Sequence, residues 1–501
     1  MSKFFCELTW NKIEWDNSYE IVRRSQRRIF KASQLGDKRK VKQLQQRLIR
    51  SSHAKLLAVQ QVTTLNKGKN SPVPTNPSMK LTLAKNLHLN GKASLVKRVG
   101  IPKPGKVEER PTIQDRAKQA LAKLALEPEW EAKFEPNSYG FRPGRSSHDA
   151  IEAIFLNLRS KTDKLVYAAD IGKSFDRIDH NALLAKIESF PLMERQISAW
   201  LKAGIMDEHG HRPRNTPMAG IISPLLANIA FHGLEEHLKN YVCSEKFPKP
   251  LKRAALGVIR YADDFIIIHR NPEIMKKVIL ETKDWLAKVG LEISPEKTRV
   301  RKASESFNFL GFQITLVMKQ GQYRIKITPS KENVKKLTHK TRKIIQNNKS
   351  ASSYGLIYLL RPVLIGWGNF FRYCECKETF KKVDNILYNQ IRAWVFRRAT
   401  RQGRETVKQK YFPENRVYKF QNRTYKGNWI LNGTKTLKGG KPRSTNLPKL
   451  AWIASEKYVK EKRHLLVPNA LPGKEVLHRK CHTNKTLIDL QSSQENLAEA
   501  G

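Results

Sequence analysis

The stretch Val258-Ile259-Arg260-Tyr261-Ala262-Asp263-Asp264-Phe265-Ile266-Ile267-Ile268 places two adjacent carboxylates at the midpoint of a β-branched and aromatic run. Strand-forming residues flank the pair on both sides, so the pattern predicts two strands that meet at the acids. Taking a carboxylate out of water costs several kcal/mol unless a cation compensates it. A divalent metal would be such a cation. An acidic hairpin turn facing water is the other reading of the same residues.

A second stretch bears on that choice. Lys164-Leu165-Val166-Tyr167-Ala168-Ala169 is a short apolar strand ending in Asp170, and Gly172 and Ser174 break it soon afterwards. Strand-end carboxylates at Asp170 and at Asp263/Asp264 can together hold two Mg²⁺ ions about 3.5–4 Å apart, the arrangement that clamps attacking and leaving oxygens in phosphoryl transfer. The chemistry implied is nucleotidyl transfer.

The composition points the same way. A chain of 501 residues, 40% of them hydrophobic, is long enough for about three domains with real cores. Lysine and arginine number 94 against 45 aspartates and glutamates, a formal charge of +49. Self-repulsion on that scale makes sense beside a polyanion. No run of 18 or more apolar residues is present, so no bilayer-spanning helix is expected and nucleic acid is favoured over a membrane surface. Cys6, Cys243, Cys374, Cys376 and Cys481 form no CxxC pair, which argues against a structural zinc or a disulfide framework and for a reducing compartment. The opening Met-Ser-Lys-Phe-Phe-Cys-Glu, with Glu7, Glu14 and Asp16 early, reads as neither a signal nor a transit peptide.

Tyr261-Ala262-Asp263-Asp264, with Asp170 followed five residues later by Phe175, resembles the palm of a reverse transcriptase, specifically that of the group II intron-encoded reverse transcriptase/maturases. The likeness runs from roughly residue 35 to 430. Its blocks include Leu56-Leu57-Ala58-Val59-Gln60-Gln61-Val62-Thr63-Thr64, the fingers-like Ile101-Pro102-Lys103-Pro104-Gly105-Lys106 with Arg110-Pro111, and Asn137-Ser138-Tyr139-Gly140-Phe141-Arg142-Pro143-Gly144-Arg145. Thr216 to Pro224, Phe307 to Phe312 (primer grip) and Arg361 to Phe371 (maturase domain X) continue it. The resemblance implies an α+β right-hand polymerase with a ferredoxin-like palm and an all-α thumb. It implies catalysis by Asp170, Asp263 and Asp264, metal binding by those three with Ile171, and two Mg²⁺ as cofactor. Lys103, Arg110, Phe175 (beneath the deoxyribose), Met218 and Lys297 (a candidate general acid) would meet the incoming nucleotide. The partners implied are the RNA of its own host group II intron, an RNA template with a DNA primer, and dNTPs, with no membrane.

Elsewhere the chain reads as follows. Residues 16–62 predict helices with one basic face, in which Arg23 and Arg27 are candidates for RNA contact. Residues 65–100, rich in Asn, Pro, Lys and Ser, read as a connector. The aromatics and arginines of 137–145, Arg142 and Arg145 among them, suit the template. His180 reads as a capping or core residue. Ser223 and Pro224 suit the N-cap and first position of a helix, residues 274–289 form another, and Lys319-Gln320-Gly321-Gln322 closes a hairpin. Lys335, Lys336, Lys340 and Lys343 precede an apolar helical stripe and are expected to grip RNA. The expected domains are 1–95 (basic N-terminal helices and connector), 96–328 (fingers and palm), 329–430 (thumb and domain X) and 431–501 (a basic tail). Cys481-His482 with His478 is too sparse a set of ligands for a nuclease domain. Relatives carry Pro-Gln-Gly-Gly where this chain has Pro217-Met218-Ala219-Gly220. The expected function is therefore RNA-directed DNA polymerase and intron maturase, with a splicing-only maturase as the alternative. The expected compartment is an organelle, plastid or mitochondrion, with the bacterial cytoplasm as alternative.

Overall fold

A computed structural model describes residues 9–65, 76–100, 107–159, 162–172, 177–203, 205–206, 220–244, 253–294, 298–398, 401–436 and 442–458. Within them the chain forms two compact units, residues 9–157 with 164–300 and residues 158–163 with 301–458.

The first unit begins with helices Trp15–Gln34, Lys38–Arg50 and Ser52–Gln60. The Asp37 side chain caps the second by accepting from Lys40 N at 2.9 Å. Val22, Ile29, Val41, Leu44 and Leu48 turn inward, while Arg24, Arg28, Lys31, Arg39, Lys40, Arg47 and Arg50 stay exposed, as the periodicity predicts. All three pack on helix Ile113–Lys133, which is buried along most of its length. Polar side chains fix the register. Gln26 Nε2 donates to Leu124 O (2.9 Å) and Ser33 Oγ to Glu129 O (3.0 Å).

The expected connector is not all loop. Pro77–Asn86 is a helix because Asn76 Oδ1 accepts from Ser78 N (3.0 Å), Pro77 occupies the first turn, and Ala84 is buried. Lys80 covers the face of Trp10, its Nζ 5.5 Å from the ring centre. Beyond it, strands Val96–Gly100 and Val107–Arg110 pair antiparallel, with Gly100 opposite Val107.

The central sheet has the strand order 257–261, 264–269, 165–170, 299–302. With helices Ser223–Phe231 and Pro272–Ala287 between strands, this is the β-α-β-β-α-β pattern of a ferredoxin-like palm. Val258, Ile259, Phe265, Ile266, Ile267 and Ile268 are all buried. Both faces of these strands are covered, which is why the sequence shows a continuous apolar run and no alternation. Helix Pro272–Ala287 begins two residues earlier than expected, because Asn271 Oδ1 accepts from both Glu273 N and Ile274 N. Ser223 is the first residue inside its helix and makes no cap hydrogen bond.

The second unit starts with a three-stranded antiparallel sheet, Phe307–Phe309, Phe312–Lys319 and Gln322–Pro329. Helices Lys331–Asn347, Ser353–Phe371, Lys377–Arg398 and Arg404–Tyr411 follow. The sheet shares a core with them: the Phe312 ring lies 5.0 Å from Phe371 and 5.5 Å from Phe370. The units therefore divide near residue 300, ahead of the expected 328/329. The expected tail also begins with structure. Val417–Phe420 pairs with Arg423–Lys426, and Asn432–Thr436 with Pro442–Asn446. Tyr418, Phe420, Ile430, Leu431, Leu447, Leu450 and Trp452 are buried, and Tyr425 stacks on Trp452 at 4.6 Å. Gly433 sits so near the first turn of helix Ser353–Phe371 that a Cβ there would lie 2.4 Å from Tyr354 N.

Candidate active site

Asp170 ends its strand directly opposite Asp264, and Asp264 in turn faces Tyr261 across the hairpin. Ala262 and Asp263 are left as a two-residue turn. Ile171 N donates to Asp263 O at 3.3 Å and Ser294 N to Asp170 O at 2.9 Å, tying the turn and the strand end together. All three carboxylate residues are partly exposed. Directly opposed residues of antiparallel strands share one face, with Cβ atoms about 4.5–5.5 Å apart, and like charges there repel.

Among the described residues no three His, Cys, Asp or Glu side chains converge closely enough to hold a metal by themselves. Mg²⁺ is commonly held by one or two carboxylates together with waters and substrate phosphates and not by an all-protein cage. Hard oxygen donors at the two strand ends fit such an ion. The Ile171 side chain is buried, so only its main-chain carbonyl can contribute.

The turn is held from behind by residues that the sequence reading passed over. Ala262 has φ +57°, a conformation costly for a residue with a Cβ. Arg260, 3% exposed, reaches under it. Arg260 Nη1 donates to Ala262 O (3.2 Å) and Asn228 Oδ1 (3.0 Å), and Nη2 to Ser138 Oγ (2.6 Å). Asn228 Nδ2 donates to Gly140 O at 2.8 Å. Gly140 must be glycine, since a Cβ would lie 2.3 Å from Ala262 N. Burial lowers the Arg260 pKa to about 10, with nearby Glu135 opposing the shift. The group stays charged at neutral pH. A signal was present: Arg260 is the one charge between the Val258-Ile259 pair and Tyr261, and a charge inside a buried strand needs partners.

The block 137–145 divides. Arg142, expected at the template, is buried and its donors are spent inside: Nε and Nη2 on Glu131 (2.9 and 2.8 Å), Nη1 on the carbonyls of Glu135 and Ser138. Tyr139 is likewise buried. Phe141 points outward, 55% exposed at φ +57°. Arg145 is half-buried, its guanidinium 5.9 Å from the Tyr139 ring centre.

Arg23 and Arg27 are half-buried on the first helix, Arg23 3.8 Å from Glu20. Lys335, Lys336, Lys340 and Lys343 are all exposed on helix Lys331–Asn347. His180 is the first residue of its helix, and Asp179 is the cap, accepting from Ala182 N. Lys103, Phe175, Met218 and Lys297 lie outside the described residues. So do residues 459–501, which include His478, Cys481 and His482. The main chain of Arg110 lies in a strand opposite Lys97.

Family comparisons agree with this geometry. Residues 101–314 match the reverse transcriptase (RNA-dependent DNA polymerase) model, 10–87 the N-terminal domain of reverse transcriptase, and 334–412 the group II intron maturase-specific domain. Protein YkfC of Escherichia coli is 30% identical over 45% of this chain and 68% of its own length. Maturase-like protein 1 of Euglena gracilis is 25% identical over 73% of this chain and 78% of its own. Group II intron-encoded protein LtrA of Lactococcus lactis is 29% identical over 41% and 43%. The fold and the paired acids define a reverse transcriptase, an RNA-directed DNA polymerase. The chain belongs to the group II intron-encoded reverse transcriptase/maturase family. No described helix is long and apolar enough to cross a membrane.

Proposed function

We propose that Asp170, Asp263 and Asp264 carry DNA synthesis on an RNA template, and that the same chain binds the RNA of its own group II intron to promote splicing. The observation behind the first half is the pairing of Asp170 with Asp264 around a turn that holds Asp263. Two Mg²⁺ ions bound there would stabilise the attacking 3′-oxygen and the departing pyrophosphate. The carboxylates orient that charge, while Lys103 and Arg110 neutralise the triphosphate from the other side and Lys297 serves as general acid to the departing pyrophosphate. Phe175 and Met218 line the sugar and base. The RNA grip is assigned to Arg23, Arg27 and Arg145, and to Lys335, Lys336, Lys340 and Lys343, whose exposure suits phosphate contact. An organelle is the proposed compartment, and relatives in Euglena and in bacteria frame that choice.

Extension of oligo(dT) on poly(A) tests the polymerase. Wild-type protein should extend the primer and Asp263→Ala protein should not. Co-purification of intron RNA from the host, read by sequencing, tests the partner, and cell fractionation tests the compartment. Recovery from a bacterial cytoplasm would overturn the last assignment.

A further inference from the structure

We propose that Arg260, together with Asn228, is a positioning residue that sets the geometry of the metal-binding turn; the proposal rests on the reading of Asp263 and Asp264 as metal ligands. Three chain segments meet at one guanidinium. The hairpin contributes Ala262 O, helix Ser223–Phe231 contributes Asn228 Oδ1, and the loop before Gly140 contributes Ser138 Oγ. The main chain repeats the linkage, because Arg260 N donates to Asn137 O and Tyr139 N to Arg260 O, both at 2.9 Å. Asn228 then passes it on to Gly140 O, and Gly140 bears directly on Ala262 N. The Phe231 ring closes the remaining face, 5.2 Å from the guanidinium carbon.

The arrangement has a consequence for Asp263. Ala262 sits in the left-handed region, where alanine gains nothing locally, so the turn keeps its shape only if neighbours over-determine it. Arg260 holds the carbonyl of Ala262, one peptide from Asp263, and Gly140 bars the amide from moving back. A buried salt bridge or a cavity-filling role would not need a carbonyl in the turn itself as partner. Helix Ser223–Phe231 begins just after Gly220, the last residue of the Met218-Ala219-Gly220 segment, and Gln119 Oε1 accepts from Ile221 N at 2.9 Å. Asn228 thus ties the turn to the element that follows the expected nucleotide loop.

The test uses the full chain, a dideoxy-terminated oligo(dT) on poly(A), dTTP and Mn²⁺ as the metal probe, with bound Mn²⁺ read by electron paramagnetic resonance and kcat and KM read separately with an extendable primer. Arg260→Gln should weaken Mn²⁺ binding about tenfold and lower kcat about 100-fold, the scale of a 1 Å misplacement, with KM for primer–template within about twofold of wild type. Arg260→Lys should fall between the two, since an ammonium can reach one or two of the three acceptors but not span them. Ser138→Ala and Asn228→Ala remove one acceptor each and leave Arg260 in place, so they decide the matter if Arg260→Gln does not fold. Both should weaken Mn²⁺ binding, Asn228→Ala the more because it also releases Gly140. Wild-type Mn²⁺ affinity and kcat in folded Arg260→Gln, or in both acceptor variants, would overturn the proposal. So would a change in KM alone. Asp263→Ala separates the two readings: if it binds Mn²⁺ and extends primers normally, the metal assignment falls; if it is inactive while the Arg260 and acceptor variants behave as wild type, only the positioning role falls.

Discussion

The turn at Ala262-Asp263 and the turn at Gln320-Gly321 each close an antiparallel hairpin with two residues, and they are built from opposite materials. Gln320 and Gly321 both have positive φ (50° and 72°), the signature of a type I′ turn, and nothing lies within 4 Å of where a Cβ on Gly321 would stand. Its shape comes from its own residues. At Ala262-Asp263 only Ala262 has positive φ, and the shape comes from Arg260, Asn228 and Gly140 around it. A turn that merely joins strands can be left to local preference, whereas one that presents a carboxylate at a set place is fixed by tertiary contacts.

Substitutions can break or sharpen this contrast. The largest effect is expected at the carboxylate itself: Asp263→Ala should cost roughly 10³-fold or more in primer extension, several kcal/mol of transition-state stabilisation, with the melting temperature unchanged. Normal extension by that variant would remove the reason for the contrast. Gly140→Ala pushes a methyl group against Ala262 N, so extension should fall about 10- to 100-fold, equivalent to about 1.4–2.7 kcal/mol. If extension survives, the turn is not held from behind.

In the second unit, function is expected to rest on exposed charge and not on a built turn. Changing Lys335, Lys336, Lys340 and Lys343 to alanine should reduce the slope of log affinity against log salt for intron RNA by about 3, since each single-strand phosphate contact contributes about 0.7. Filter binding across a salt series reads this directly. An unchanged slope would mean that other cations carry the RNA.

A pH effect comes next in size. Burial, with Lys186 and Arg260 nearby, lowers the pKa of His232 from its ordinary value to about 4. Between that value and the ordinary imidazole range the unfolded chain binds the extra proton and the folded chain does not, so stability rises with pH across this window and is lost on acidification. The contribution is on the order of 1–3 kcal/mol. His232→Gln should flatten the dependence of chemical-denaturation midpoints between pH 4 and about 6.5. The smallest effect is expected at the free-standing turn: Gly321→Ala should cost about 1 kcal/mol of stability, the strain of one left-handed alanine, and leave extension untouched.

Much of the palm was legible because its signals are local. The apolar runs around Asp170 and Asp263-Asp264 report strands, and the strands set Asp170 opposite Asp264. The Gln320-Gly321 hairpin and the thumb helices were legible for the same reason, from turn chemistry and period. What escaped depends on partners distant in sequence. Arg142 looks like a template contact until Glu131 is seen beside it, and Arg260 finds Asn228 32 residues away and Ser138 122 away. The stretch after residue 430 reads as a tail because its short apolar pieces, such as Leu450-Ala451-Trp452-Ile453, stand apart in a run rich in Lys, Gly, Pro and Asn. They become a core only when Trp452 and Tyr425 meet.

That small β-module has a consequence for inheritance. Its strand at Gly433 leaves no room for a side chain against the helix of the maturase-specific domain, and Asp384 of the next helix accepts from Leu450 N and Ala451 N. Alleles altered between residues 417 and 453 would therefore reach the helices proposed to bind RNA through their folding. A genetic screen should return them as temperature-sensitive splicing defects, rescued by second-site changes that stabilise the thumb, whereas alleles at Asp170 or Asp263 should abolish DNA synthesis at every temperature.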